Sequence, residues 1–273
     1  MCMNIIDEVF TTLVEKTAQS AAPGDYSDSE TGLLVCGQCG KFKQTVISVD
    51  GKSQTVGCCC ECDIKAWDLE QERCMRFEIQ RLREVCITDP DMREKTFSSS
   101  LDIDRLKKFQ NYVENWDTVQ KENLGLLFLG APGSGKTHVA ACIANALIDK
   151  GISAGILSVS ALLALPIKEH GPFIQEMLQM SLLVLDDFGA ERETSYASEN
   201  VFNLVDNRVK SGRPMIVTTN LTMKDLNNPM DIAHQRIYQR ILEACRSFYF
   251  KEASYRSDIR KRKQKILDDI LGT

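Results

Sequence analysis

No apolar run in this chain approaches the roughly 18 consecutive residues that a membrane span requires. Near its start stand acidic residues, where a signal peptide would need a basic start and an apolar core. A cytoplasmic location with no membrane partner is therefore expected. An excess of basic residues is also lacking, since the formal net charge is −5. Holding duplex DNA statically requires clustered Lys and Arg, so a basic coat is excluded while a local basic groove is not. The 3 histidines, His138, His170 and His234, have no ligand-like spacing. Internal repeats and low-complexity tracts are missing, and a composition of 43% hydrophobic and 26% charged residues excludes a disordered or fibrous chain.

What is present divides in two, as 273 residues allow. Ile5, Ile6, Val9, Phe10, Leu13 and Val14 make one apolar stripe at helical spacing. Breakers and polar residues from Ala21 to Gly32 predict a flexible link. A long solvated helix is expected from Asp63 to about Cys86, stopped by Pro90, and a second from Leu101 to about Val119. The boundary is placed near residue 92, giving an N-terminal module of residues 1–92 and a catalytic domain of residues 93–273. Beyond it, strand candidates Leu126–Leu129, Gly155–Val159, Leu182–Leu185, Met215–Thr219 and Ser247–Phe250 alternate with helices. That order predicts an α/β fold with a five-stranded parallel sheet covered on both faces.

Of 11 cysteines, six lie between Cys36 and Cys62, and in a cytosolic enzyme such clustering points to metal rather than to disulfides. Cys36-x2-Cys39 and Cys59-x2-Cys62 flank a predicted hairpin, Gln44–Val49 and Lys52–Val56 about Asp50-Gly51. This is zinc-ribbon spacing, and four thiolates offer closed tetrahedral coordination suited to a structural Zn²⁺. Cys59 keeps the two-residue spacing to Cys62, with Cys58 and Cys60 as rivals.

Gly130-Ala131-Pro132-Gly133-Ser134-Gly135-Lys136-Thr137 has the Walker A pattern, after an apolar strand and before a helix in which His138 comes directly after Thr137. Its N–H groups and the helix dipole are expected to cradle the phosphates of ATP, with His138 beside them. Lys136 would neutralise the β and γ phosphates and the Thr137 hydroxyl would ligate Mg²⁺. Leu182-Leu183-Val184-Leu185-Asp186-Asp187 reads as Walker B. Asp186 would hold Mg²⁺ through water, and Asp187 would orient or deprotonate the attacking water. Asn220, closing the next strand, could position the same water.

The stretches Gly130–Thr137, Leu182–Gly189, Thr218–Leu221, Arg236–Arg240 and Ser254–Ser257 together resemble the AAA+ helicase loaders of the DnaC and DnaI type, with IstB-type transposition ATPases as cousins. The resemblance spans roughly Thr96 to Ile259. It implies an AAA+ P-loop ATPase preceded by a zinc-ribbon-like module, with Asn220 as sensor 1, Arg240 as the finger reaching a neighbouring subunit's ATP, and Arg256 as sensor 2. Arg236, one helical turn before Arg240, remains a rival finger. The implied work is Mg-dependent ATP hydrolysis that delivers a hexameric replicative DNA helicase onto single-stranded DNA, with self-association through AAA+ interfaces. Asp187 departs from the Glu common at that position, and slow hydrolysis is expected. The basic cluster Arg256, Arg260, Lys261, Arg262, Lys263 and Lys265 could contact a few phosphates or could be a solvated helix end.

Overall fold

The computed structural model describes residues 22–49, 51–99, 103–189, 195–229, 231–251 and 255–271. The apolar stripe of Ile5 to Val14 and the side chain of Arg256 lie outside the described residues. The chain forms two compact units, Met1–Phe77 and Glu78–Thr273.

In the first unit, β1 (Tyr26–Ser27) pairs antiparallel with β2 (Leu34–Val35), and β3 (Gln44–Val49) with β4 (Lys52–Gly57). The β3–β4 hairpin, in register from Gln44 opposite Gly57 to Val49 opposite Lys52, is the one the sequence predicts. The expected flexible link is corrected, because Asp25 to Gly32 are folded. Asp25 accepts hydrogen bonds from the Ala22 and Gly37 N–H groups and pairs at 3.0 Å with Lys43 Nζ. A polar, breaker-rich segment is thus tied down by one carboxylate that satisfies a buried lysine, a partnership across eighteen residues that composition does not show. The Lys43 ammonium and the backbone donors hold the Asp25 carboxyl below the usual carboxylate range.

Helix α1 (Glu61–Cys86) carries Glu61 and Asp63 in its first turn and Arg83 in its last, the charge order its dipole favours. Pairs such as Glu72–Arg76 line its solvated surface. The boundary between the units falls inside α1, between Phe77 and Glu78, and not at residue 92. The last turn of α1 and the residue after it explain the difference: Cys86 and Ile87 are fully buried, and Ile87 bridges Ile156 of the sheet. Arg83 pairs with Asp149 and donates to the Asn145 side chain, whose Nδ2 donates to the carbonyls of Met92 and Lys95. The segment around α2 (Pro90–Arg93) is thereby fastened to the domain it was expected to precede.

In the second unit, α3 (Ile103–Glu114) and α4 (Trp116–Lys121) replace the single helix expected there. The Asn115 side chain between them bonds the Asn111 carbonyl at 2.8 Å and competes with the helical ladder. Strands β5 (Gly125–Gly130), β6 (Ala154–Ser158), β7 (Leu182–Phe188), β8 (Met215–Thr219) and β9 (Cys245–Phe250) form one parallel sheet in the order β6-β7-β8-β5-β9. The near-continuous apolar runs of β5 to β8 are buried, as strands covered on both faces must be, whereas the edge strand β9 leaves Arg246 and Tyr249 exposed. The helices between them are α5 (Lys136–Ile148), α6 (Val159–Ala164), α7 (Ile167–Gln179), α8 (Ser195–Lys210), α9 (Met223–Asn227) and α10 (Ile232–Ala244), and α11 (Tyr255–Leu271) follows the last strand. Phe109 of α3 meets Phe128 of β5 edge to face at 5.2 Å, and Phe128 meets Phe250 of β9 at 5.0 Å. No described helix is long and apolar enough to cross a membrane.

The sheet order sets β5 between β8 and β9, so the carboxyl ends of β5, β7 and β8 lie side by side. In open parallel sheets this is where ligands bind. Arg208 of α8 is fully buried and donates to the carbonyls of Leu178, Met180, Ser181 and Pro214. It closes the end of α7 against the start of β8, a structural task that an arginine in a helix does not announce in sequence.

Candidate nucleotide site and metal centre

The loop leaves β5 at Gly130, whose φ is +153°, and a Cβ there would meet the Phe250 carbonyl oxygen at 2.5 Å. Only glycine fits. Gly135, at φ +93°, is the N-cap of α5 and has no side chain to occupy the first N–H groups of that thirteen-residue helix. Those donors and the helix dipole make an anion site. Within the loop the Ser134 hydroxyl is buried and finds no hydrogen-bond partner among the described residues, an orphan that a phosphate oxygen would satisfy.

Lys136 is 4% exposed, and its Nζ donates to the carbonyls of Gly130 (2.7 Å) and Ala131 (3.0 Å) and to Asn220 Oδ1 (2.9 Å). Walker A lysine and candidate sensor 1 are thus in direct contact, as the order of strands in the sheet requires. The His138 ring lies along α5, with Nε2 3.5 Å from Cys142 Sγ, and burial first, then the charge of Lys95, pulls its pKa down.

The end of β7 is irregular. Leu185 stands opposite Val217 and Phe188 opposite Thr219, with a register shift between them. Asp186 is buried and Asp187 exposed, and Asp187 has a positive φ of 52°, an uncommon conformation for a non-glycine residue. Thr218 Oγ1 donates to Asp186 Oδ1 at 2.6 Å and accepts the Asp187 N–H at 3.1 Å. The Asp186 carboxyl is raised above its ordinary range, mainly by burial and further by the charge of Asp187, against the hydrogen bonds of Thr218 and Thr137. Thr137 and Asp186, both oxygen donors and already in contact, are the chemistry that Mg²⁺ takes.

Arg240 of α10 pairs in its own chain with Asp206 of α8 and with Glu243, and it lines a cleft of about 560 Å³ with Phe202, Arg236, Gln239 and Glu243. Both candidate fingers therefore face one opening.

In the first unit the ligand atoms of Cys36, Cys39, Cys60 and Cys62 all lie within 4.8 Å of one another. Four thiols at such a spacing fit a tetrahedral S₄ zinc site. The ligand assignment from spacing is corrected here: Cys60, 2% exposed, takes the position expected of Cys59, which is exposed. The Cys60 carbonyl accepts the Ile64 N–H and its own N–H donates to Asp63, so α1 begins on it and turns its side chain inward. Burial pushes the metal-free Cys60 thiol up to about 12, whereas the Lys41 N–H first of all brings Cys39 down to about 6.

Thr218 and Asp206 are the residues that sequence reasoning missed, while Cys60 was named only as a rival to Cys59. Thr218 left one signal, which it shares with Thr219: two polar residues end a strand that is otherwise apolar.

Comparisons with known proteins bear on the family and the fold. The chain is 29% identical over 165 residues to the replicative helicase loader DnaC of Escherichia coli strain K12, covering 58% of this chain and 65% of that protein, so it spans less than two thirds of that relative's length. It is 26% identical over 134 residues to an ATP-binding protein of an insertion sequence in Mycobacterium tuberculosis, covering 46% of this chain and 53% of that one. In fold it is similar to the crystal structure of DnaI, with a TM-score of 0.53 at 20% identity, covering 63% of this chain and 98% of that one. The crystal structure of the DnaC helicase loader gives 0.51 at 22%, covering 60% and 100%. Residues 70–265 match the family described as IstB-like ATP binding protein, and the chain belongs to that family.

Proposed function

We propose that the chain hydrolyses ATP to control the loading of a hexameric replicative DNA helicase onto single-stranded DNA. The observation that carries the hydrolytic part is the row of neighbouring strand ends of β5, β8 and β7, where Lys136 donates to Asn220 and the Asp186 carboxylate touches Thr137 and Thr218. Lys136 exchanges loop carbonyls for phosphate oxygens, and Asp187, set outward by its bulge, orients the attacking water with Asn220. When bound, Mg²⁺ would be held by Thr137 and Asp186 and would neutralise charge on the phosphates. Arg240, once released from Asp206, supplies a guanidinium to a neighbouring subunit's ATP, and Arg256 serves as sensor 2 in its own.

Support for the loader reading is the likeness to DnaC together with a four-thiol module at the other end of the chain. Zn²⁺ held by Cys36, Cys39, Cys60 and Cys62 would keep that module folded as the helicase-binding surface. The insertion-sequence relative favours a second reading, a transposition ATPase acting on duplex DNA.

The test is capture of a purified replicative helicase by the full-length chain with ATP or ADP, for the unaltered protein and for Cys36→Ser/Cys62→Ser, Lys136→Ala and Asp187→Asn variants. Capture favoured by ATP, lost in the cysteine variant and unreleased in Asp187→Asn is the expected result. No capture in any nucleotide state, with ATP-dependent binding to duplex DNA, would establish the second reading instead.

A further inference from the structure

The register of β7 against β8 leaves one residue, Thr218, across from two, Asp186 and Asp187. This is the two-against-one count of a β-bulge, a device that re-aims side chains beside active sites. Thr218 is fully buried in a strand whose neighbours Met215, Ile216 and Val217 are apolar. A hydroxyl in such a place is costly unless it is hydrogen-bonded. Its proton goes to Asp186 Oδ1 at 2.6 Å, and its oxygen accepts the Asp187 N–H at 3.1 Å. Both functions of a single hydroxyl are therefore spent on the two strand-ending carboxylate residues. The next threonine is committed elsewhere: Thr219 Oγ1 donates to the Phe188 carbonyl at 2.7 Å and accepts the Leu221 N–H at 3.1 Å.

We propose that Thr218 is the positioning residue of the Walker B pair: its hydroxyl orients the Asp186 carboxylate toward the cation and holds the Asp187 backbone at positive φ, so that its carboxylate faces the attacking water. The inference rests on the ATPase reading given above. Two consequences separate it from a packing role. The requirement for Mg²⁺ and the rate of turnover both depend on the hydroxyl, and neither depends on the volume of the side chain.

Thr218→Val keeps the volume and removes the hydroxyl, whereas Thr218→Ser keeps the hydroxyl. Binding of a fluorescent non-hydrolysable ATP analogue is titrated with Mg²⁺, and kcat and KM for ATP are measured separately. T218V is expected to raise the half-saturating Mg²⁺ concentration about tenfold and to lower kcat about tenfold or more, the loss of one charge-assisted hydrogen bond. Its KM and its analogue binding in EDTA stay near those of the unaltered protein, and T218S recovers both losses. A T218V protein with an unchanged Mg²⁺ requirement, or a T218S as impaired as T218V, overturns the proposal. Should T218V not fold, Thr218→Ala against T218S gives the same comparison. An unaltered protein without turnover would sink the ATPase reading, while the Mg²⁺ titration would still decide for or against Thr218.

Discussion

Arg240 and Asp206 form an ion pair between α10 and α8, with Arg240 Nε 3.2 Å from Asp206 Oδ1. The same carboxylate takes Lys210 Nζ at 2.6 Å, and that hydrogen bond is the main cause of an Asp206 pKa below the usual range. Asp206 is consequently ionised at neutral pH and holds Arg240 in place. The Arg240 side chain is 39% exposed, and pairs of this kind contribute little to stability, so the guanidinium can exchange one anion for another at small cost.

Arg240→Ala is expected to lower ATP turnover about a hundredfold or more, as loss of an arginine finger does, without weakening ATP binding. Mixing Arg240→Ala with Asp187→Asn subunits should restore part of the activity, since each supplies what the other lacks across an interface. Steady-state hydrolysis at varied subunit ratios checks this. Should Arg236→Ala show the loss and Arg240→Ala none, the finger is Arg236, one turn earlier on α10.

A second prediction concerns pH and stems from the raised Asp186 carboxyl. Below the ordinary value of 3.8 the group is protonated in both folded and unfolded chains and has no effect. As pH rises through that value the unfolded chain ionises first, so stability falls until the raised folded pKa is passed and stays reduced at neutrality. Asp186→Asn removes the charge. Its unfolding midpoint without nucleotide should exceed that of the unaltered protein at pH 7, by roughly 2 °C or more, and the gain should shrink toward pH 4. The Mg²⁺-dependent stabilisation by nucleotide should vanish. Scanning fluorimetry across this range decides, and an Asn variant no more stable than the parent at pH 7 would contradict the argument.

The third prediction separates two adjacent cysteines. Cys60→Ser should lose bound zinc, measured by metal analysis of purified protein, and should unfold the module around the β3–β4 hairpin. Cys59→Ser should retain one zinc per chain. The ATPase unit, with its own core, should keep its unfolding transition in both. The reverse pattern would restore Cys59 as the ligand.

Much of the candidate nucleotide site was legible in the chain because it is built from contiguous stretches. Gly130 to Thr137 needs no distant residue to become a phosphate loop, for its glycines permit the turn and the apolar periodicity after them makes the helix that supplies the dipole. The five parallel strands were legible for a related reason, since an apolar run such as Leu182 to Leu185 ending in carboxylates has one comfortable place in a covered sheet. Corrections gather where a side chain acts at a distance. Asp25 turns an apparent link into a folded segment through Lys43, and Asn145 draws the carbonyls of Met92 and Lys95 onto α5, moving the boundary into α1.

By itself, then, the sequence determined the P-loop, the parallel α/β sheet, the hairpin between two cysteine pairs and the residue types able to handle a nucleotide, because local spacing and strand composition dictate these. Tertiary structure alone decided that Cys60 and not Cys59 faces the other thiols, that Thr218 answers both Asp186 and Asp187, that Arg240 rests on Asp206, and that Arg208 is buried among carbonyls. Each of these depends on which face a residue turns and on which distant atom is there to meet it, and a hydrogen bond a few ångströms long has no counterpart in the linear order of the chain.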